Sequence, residues 1–299
     1  VYQDTLAAIP LYIDVSVLFY KKEFLKKLQD YENIKNKLQG SITWDDFIRL
    51  GQRVKKDGKP FFIFQADDFE GLICFYCELL ANQNCSIIKN DTLAINTPEA
   101  KKSLQLLVDL VNKYKISPKE VSKFRENESY YYFMENEGYF LRGWSSFLNL
   151  HKTFYDNVSE YESLGVAPTP HFNNGTKSSV FGGWNLMISK FSKNIPESIK
   201  FVQYLISEEA QKIMYEEGGY FPINTKIYSD TNYVNKFPNL KFYEKLLKQG
   251  FHRPFLENYT NISDILSYYI HLAIKKELSV DEALNKAEEK IKSQSILIK

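Results

Sequence analysis

The sequence has no long apolar run and few of the residues from which metal and redox sites are built. No stretch of 18 consecutive apolar residues occurs, so the sequence predicts no membrane-spanning helix. Its four histidines are scattered, without the paired spacing that puts two metal ligands on one helix face. Of its three cysteines, Cys74 and Cys77 lie in an apolar helical run, which predicts buried free thiols. We therefore expect no metal and no cofactor.

An excess of charge of one sign is also missing. The chain has 38 Lys and Arg against 37 Asp and Glu, a formal net charge of +1, and the charges are interspersed. Nucleic-acid-binding proteins normally need a basic face to neutralise phosphates. The composition therefore argues against a nucleic-acid partner.

Catalytic motifs are equally scarce. The sequence contains neither a G-x-S-x-G nucleophile elbow nor a phosphate-binding loop. Asp67 and Asp68 are adjacent, so they cannot flank a glycosidic bond as an acid and base pair. Carboxylates that are distant in sequence could still meet in space, but the favoured prediction is that the protein is not an enzyme.

Aromatic residues are abundant: 21 Tyr, 22 Phe and 3 Trp make up 15% of 299 residues. Tyrosine combines an apolar ring with a polar tip, so it suits wet binding surfaces as well as cores. A chain of this length exceeds what one hydrophobic core usually organises. We expect two lobes, with a single large domain as the alternative.

Short strand patterns alternate with helix patterns along the chain, which is typical of an α/β fold. Residues 11–20 alternate and are rich in β-branched and aromatic residues, as in a strand. Hydroxyl residues with N-cap spacing, at Thr43, Thr97, Ser207 and Ser279, predict helix starts.

Four aromatic residues lie next to polar groups or glycines at predicted strand ends, where α/β proteins bind ligands. Tyr12 and Asp14 alternate along the first strand, and Phe69 follows Asp67 and Asp68. Trp144 follows Gly143, and Trp184 follows Gly182 and Gly183. Each ring has two open interpretations, a packed core residue or a surface offered to a ligand.

One long stretch is specific enough to indicate a family. Residues 182–211, GGWNLMISKFSKNIPESIKFVQYLISEEAQ, resemble the family 1 extracellular solute-binding proteins, the sugar receptors of ABC importers, and most of all their maltose- and trehalose-binding branch. The resemblance runs from Ile9 to Ile291. Further matching segments are IPLYIDVSVLFYKK at 9–22, TWDDF at 43–47, GGYFP at 218–222, YSD at 228–230 and RPFLENY at 253–259.

The resemblance implies a periplasmic-binding-protein-like fold, two α/β lobes joined by hinge strands with a ligand cleft between them. Residues 1–16 and 186–230 would form part of the N-terminal lobe, and 17–185 and 231–299 the C-terminal lobe. The protein would be a monomer outside the cytoplasm, in the periplasm or lipid-anchored. It would capture a sugar or oligosaccharide by hinge closure and deliver it to a membrane permease. The alternative is a ligand-sensing module of a signalling receptor on the same fold.

The resemblance also implies which residues contact the sugar. Aromatic rings would cover the apolar C–H faces of sugar rings, while charged groups would satisfy hydroxyls, because an unpaired polar group in a closed site costs about 1 to 3 kcal/mol. The glycines would let the backbone approach the ligand, and Phe69 stands where the family often has a tyrosine. The implied ligand-binding residues are Tyr12, Asp14, Asp67, Asp68, Phe69, Trp144, Gly182, Gly183, Trp184, Arg253 and Tyr259.

The chain departs from the family pattern at its start. Family members carry strands and helices, roughly 100 residues of them, before the strand that matches residues 9–22. Two interpretations stay open: the sequence is a piece of a longer protein, or the protein is a natural reduced variant.

Overall fold

A computed structural model describes residues 6–54, 58–89, 92–147 and 163–293. The described chain is a mixed α/β structure, as predicted. Its strands are β1 (Ile9–Lys21), β2 (Phe62–Ile63), β3 (Ile88–Lys89), β4 (Thr92–Leu93), β5 (Phe140–Trp144), β6 (Leu164–Ala167) and β7 (Phe181–Leu186). Its α-helices are α1 (Lys22–Lys26), α2 (Tyr31–Gln39), α3 (Trp44–Val54), α4 (Glu70–Ala81), α5 (Pro98–Asn112), α6 (Glu126–Glu135), α7 (Ile195–Leu205), α8 (Glu208–Gly218), α9 (Thr225–Ser229), α10 (Thr231–Lys236), α11 (Asn239–Gln249), α12 (Tyr259–Ile274) and α13 (Val280–Ser293).

The chain divides into two compact units, each built from separate stretches of sequence. Unit 1 comprises Val1–Ser16, Trp144–Glu162 and Phe181–Gly250, and unit 2 comprises Val17–Gly143, Ser163–Val180 and Phe251–Lys299. The first boundary falls inside β1, between Ser16 and Val17.

The predicted lobe bounds stay a prediction, and the compact units divide the chain differently at three places. Trp144–Glu162 falls in unit 1. Residues 231–250 belong to unit 1, because α10 and α11 bury Tyr233 and Tyr243 in ring contacts with Tyr215 and Phe221. Residues 181–185 also belong to unit 1, because β7 pairs along its length with the first half of β1.

Unit 2 has a sheet in which β1 lies between β5 and β6 and β2 lies outside β5. β2 runs parallel to β5, whereas Leu18–Lys21 of β1 runs antiparallel to β6. Fully buried aromatic side chains fill the space between this sheet and the helices, and several rings meet edge to face, an arrangement that aromatic pairs prefer. These residues are Trp44, Phe47, Phe62, Phe75 and Phe140.

Local capping signals set the helix starts as predicted. The Thr97 side chain accepts a hydrogen bond from the Ala100 N–H, and Pro98 occupies the first turn of α5. Ser279 and Glu282 form a reciprocal capping box at the start of α13. This helix then buries one face, formed by Ala283, Leu284, Ala287 and Ile291.

Unit 1 contains the antiparallel pair of β7 with residues 9–15 of β1, together with α7 to α11. Ser207 caps α8, and Gly219 ends it with φ +69°, a left-handed conformation that glycine adopts without strain. The buried residues of this unit come mainly from α8 to α11. Among the described residues, no helix is long and apolar enough to cross a membrane.

Candidate functional site

The predicted ligand-binding residues of unit 1 gather around the β1–β7 pair. Tyr12 lies opposite Trp184 in the ladder, and the rings of Tyr12 and Tyr220 are 4.4 Å apart. The Trp184 side chain is 68% exposed, so the core-packing interpretation is wrong for this residue. Unit 1 thus exposes the Trp184 indole to solvent on β7, and the residue that pairs with Trp184 on β1 is a tyrosine.

The two glycines before Trp184 have structural roles in the strand pair. A Cβ at Gly182 would lie 2.8 Å from the Trp144 ring, and a Cβ at Gly183 would collide with the carbonyl oxygen of Tyr12. Gly183 also has φ +119°, which L side chains rarely adopt. Pairing with β1 and packing of Trp144 account for both glycines, and the close approach of a ligand to them stays a prediction.

Asp14 is buried and already fully hydrogen-bonded. Its carboxylate accepts from the hydroxyls of Ser145 and Ser146, from the Val15 N–H at 2.9 Å and from the Ser146 N–H at 3.2 Å. Burial raises the pKa of Asp14, and these hydrogen bonds partly oppose the increase. Asp14 therefore holds Ser145 and Ser146, the residues after β5, in place. Its contact with a sugar stays a prediction.

In unit 2, the predicted residues form the turn before α4. The Asp67 carboxylate lies 2.9 Å from Arg125 Nε, and the Arg125 guanidinium lies 5.4 Å from the centre of the Phe69 ring. Asp68 accepts a hydrogen bond from the Ser267 hydroxyl. Asp67, Asp68 and Phe69 are all half-buried. The adjacent aspartates thus contact different residues. Asp67 pairs with Arg125, the N-cap residue of α6, and Asp68 accepts a hydrogen bond from Ser267 of α12.

Glu70, which the sequence reasoning missed, connects the remaining predicted residues. Its carboxylate accepts from the Tyr259 hydroxyl at 2.7 Å and from the Ser263 hydroxyl, and it lies 3.0 Å from Arg253 Nε. A carboxylate in the first turn of a helix is favoured by the helix dipole. Its position directly after Phe69, at the start of α4, was the signal that could have identified it.

Arg253 reaches from this carboxylate to the α4 cysteines and donates a hydrogen bond to Cys74 Sγ. Burial raises the pKa of the Cys74 thiol to about 11, so the sulfur stays protonated at neutral pH. Cys74 and Cys77 are free and buried, which confirms the prediction. Burial also raises the pKa of Tyr259, whose hydroxyl therefore serves as a donor.

The described histidines have structural partners. His171 Nδ1 is 2.8 Å from the Ser41 hydroxyl, and His271 Nδ1 is 2.9 Å from the Ala66 carbonyl oxygen. His151 lies outside the described residues. In the part of the chain that the structure describes, no cluster of three His, Cys, Asp or Glu side chains could hold a metal ion. What the two groups of residues offer is binding chemistry: aromatic faces beside hydrogen-bonding side chains.

An α/β fold with such groups is typical of proteins that bind small solutes. Residues 1–212 match the family model described as bacterial extracellular solute-binding protein. The chain belongs to that family, so the predicted family is confirmed.

Curated relatives carry the names of transporter-binding and oligosaccharide-binding proteins. A probable ABC transporter-binding protein of Deinococcus radiodurans is 24% identical over 294 residues, which are 95% of this chain and 67% of the relative. An arabinooligosaccharide-binding protein of Bacillus subtilis is 26% identical over 77% of this chain and 52% of its own length. A maltooligosaccharide ABC transporter solute-binding lipoprotein of Streptococcus pneumoniae is 38% identical over 65 residues, 21% of this chain and 15% of the relative. The chain thus spans between about half and two thirds of the longer-matching relatives.

Solved structures share the fold over nearly the whole chain. Maltose-bound MalE3 of T. maritima superposes with a TM-score of 0.85 at 26% identity, covering 96% of this chain and 72% of its own. A solute-binding protein of Thermotoga lettingae bound with α-D-tagatose gives 0.82 at 23% identity, with 98% and 73% covered. The predicted α/β fold of the periplasmic-binding-protein type is confirmed.

Proposed function

We propose that this protein is the sugar-binding component of an ABC transporter, which acts outside the cytoplasm and delivers a sugar or oligosaccharide to a membrane permease. The named relatives support the sugar and transporter parts of this proposal, because they are arabinooligosaccharide- and maltooligosaccharide-binding proteins. The lipoprotein name of the streptococcal relative supports the location. Capture by hinge closure, as the family resemblance implies, is part of the same proposal.

The observation that carries the proposal is the exposure of Trp184. An indole that is 68% exposed on a strand leaves apolar area in water, which a sugar ring can cover with its C–H face. Tyr12 and Tyr220 supply further rings in unit 1. In unit 2, Arg253 and the carboxylate of Glu70 supply donors and acceptors of the kind that sugar hydroxyls require.

Titration with a panel of sugars tests this function. Maltose, trehalose, arabinooligosaccharides and D-tagatose would be added while tryptophan fluorescence is followed. Trp44 is fully buried in the core of unit 2, whereas Trp184 is exposed, so binding at Trp184 should change part of the emission. We expect saturable binding of one class of sugar. The same titrations would be repeated by calorimetry. If no sugar of the panel gave either a fluorescence change or a heat of binding, the proposal would be contradicted.

Replacement of the exposed indole gives a sharper prediction. Trp184→Ala should weaken sugar binding about tenfold or more, equivalent to about 1.4 kcal/mol. The thermal midpoint without sugar should change little, since no core contact is lost. Trp44→Phe is the control, because it should lower the midpoint and leave the affinity of the folded protein unchanged. A large loss of stability in Trp184→Ala would instead show that the indole packs within unit 1.

A further inference from the structure

Arg125 departs from the usual chemistry of a helix start. It is the N-cap residue of α6, a position at which serine, threonine, aspartate and asparagine are preferred because their oxygens accept from helix N–H groups. An arginine side chain has donors but no acceptor, and its positive charge lies at the end of the helix where the dipole favours anions. The folding of α6 therefore does not account for an arginine here. Residues that oppose their local structure in this way are expected at functional sites.

Backbone hydrogen bonds hold Arg125 beside the turn before α4. The carbonyl oxygen of Phe124 accepts from the N–H groups of Ala66 and Asp67, at 3.2 Å each. This turn follows β2, which runs parallel to β5, and α/β proteins bind ligands beyond the carboxyl ends of parallel strands. The start of α6 is thus joined to a turn in the position where ligands bind.

Two side chains set the direction of the Arg125 guanidinium. The Asp67 carboxylate lies 2.9 Å from Nε, and the centre of the Phe69 ring lies 5.4 Å from Cζ, within the range of a cation–π contact. The ring is itself confined, because it lies against Gly71, where a Cβ would collide with it. Part of the Phe69 ring is therefore covered by other residues of unit 2.

Most of the hydrogen-bond donors of Arg125 remain available to a ligand. A guanidinium has five N–H groups, and Asp67 accepts from the one on Nε. In the part of the chain that the structure describes, Nη1 and Nη2 donate to no protein atom, and the side chain is 58% exposed. The guanidinium is thus held at one end and offers its other end to solvent.

We infer that Arg125 is a further ligand-binding residue of unit 2, whose Nη groups donate to adjacent hydroxyl oxygens of a neutral sugar. Phe69 then acts through Arg125, by orienting the guanidinium. The fork of a guanidinium suits this task, because it can donate two parallel hydrogen bonds to neighbouring oxygens. Asp67 balances the charge of Arg125, and Glu126 and Glu128 follow in the first turn of α6, so an acidic sugar would be repelled. The inference rests on the proposed function.

Arg125→Ser separates binding from stability. Serine is a preferred N-cap, which offsets the loss of an exposed ion pair, so the thermal midpoint without sugar should equal or exceed that of the wild type. Calorimetric titration with maltose, trehalose, arabinooligosaccharides and D-tagatose measures the affinity, which should fall at least tenfold for the sugar that the wild type binds. Arg49→Ser is the matched control. Arg49 is also an exposed arginine of unit 2 paired with an aspartate, Asp46, and its replacement should leave the affinity unchanged.

A double-mutant cycle tests the role given to Phe69. Phe69→Leu keeps an apolar side chain but removes the ring that orients the guanidinium, so the affinity should fall about threefold, the size of an exposed cation–π contact. The double variant Phe69→Leu, Arg125→Ser should bind no more weakly than Arg125→Ser alone. Additive losses would show that Phe69 contacts the sugar by itself, and would overturn its role as a positioning residue.

The outcomes distinguish this inference from the proposed function. Equal affinities of Arg125→Ser and the wild type for a sugar would overturn the inference and leave the proposed function intact. If the wild type bound no sugar of the panel, the proposed function and the inference would both be contradicted. D-glucuronate is added to the panel as an acidic sugar. Tighter binding of D-glucuronate than of every neutral sugar would overturn the assignment of Arg125 to uncharged hydroxyls.

Discussion

A single carboxylate, Glu70, contacts two side chains of unit 2 that the family resemblance assigns to sugar binding, Arg253 and Tyr259. Arg253 and Tyr259 come from a segment almost 190 residues away in the sequence, and both contact this side chain. Glu70 is itself part-exposed, so part of its interaction energy is screened by solvent. Its effect should therefore appear more in the orientation of its partners than in overall stability.

Glu70→Gln tests that role. The neutral amide keeps one acceptor oxygen but loses the charge that attracts Arg253, so we expect a stability loss of about 1 kcal/mol and a clear loss of sugar affinity. Ser263→Ala is the matched control, since it removes one hydrogen-bond donor and leaves Arg253 and Tyr259 in contact with Glu70. Chemical unfolding and calorimetric titration measure the two effects. Equal affinities for Glu70→Gln and wild type would show that Glu70 does not position these residues for binding.

Asp14 gives a prediction about pH. Its pKa is raised by burial in the folded chain, so its contribution to stability is fully present below the ordinary aspartate pKa and is lost as pH rises through the folded pKa. Asp14→Asn cannot ionise and should lack this loss. The difference in unfolding free energy, wild type minus variant, should therefore fall as pH rises from about 4. A constant difference would mean that the hydrogen bonds from Ser145 and Ser146 balance the effect of burial, and a difference that rises with pH would mean that they outweigh it.

Helices and strands that are specified by neighbouring residues could be predicted from the sequence, whereas burial set by distant segments could not. The hydroxyl caps at Thr43, Thr97, Ser207 and Ser279 all start helices, because the cap and its N–H donor lie within three residues. Residues 182–211 likewise carry a contiguous pattern that indicates the family. In α7, Val202 is the only buried residue. That near absence of burial depends on what packs against the helix, and no local pattern encodes that.

In the candidate site, too, features that depend on neighbouring residues could be predicted, and features that depend on distant segments could not. Glycine and tryptophan at 182–184 were visible in the sequence, but the collision that a Cβ at Gly183 would make with β1 depends on strand pairing. The four donors to Asp14 come in part from Ser145 and Ser146, about 130 residues away. A carboxylate two residues from a tyrosine in one strand is typical of a ligand contact, whereas the hydrogen bonds that its oxygens accept within the folded chain depend on segments distant in sequence.

The division into two units, each with its own buried residues, has a consequence for how the chain unfolds. Unit 2 has a multi-stranded sheet and a core of fully buried aromatic rings, whereas unit 1 has the β1–β7 pair and an exposed α7. Less apolar burial per residue means lower local stability. Unit 1 should therefore unfold at a lower urea concentration than unit 2.

Tryptophan placement allows this order to be measured. Trp44 lies in unit 2, and Trp144 and Trp184 lie in unit 1, so the double variant Trp144→Phe, Trp184→Phe leaves Trp44 as the only indole, a reporter of unit 2. Helix content by circular dichroism reports both units, because α7 to α11 belong to unit 1. We expect the circular dichroism signal to begin its loss before the Trp44 fluorescence changes, since non-coincident transitions are the mark of unfolding in more than one step. Superimposable curves would show that the two units unfold together and that the exposed α7 costs the chain no separate stability.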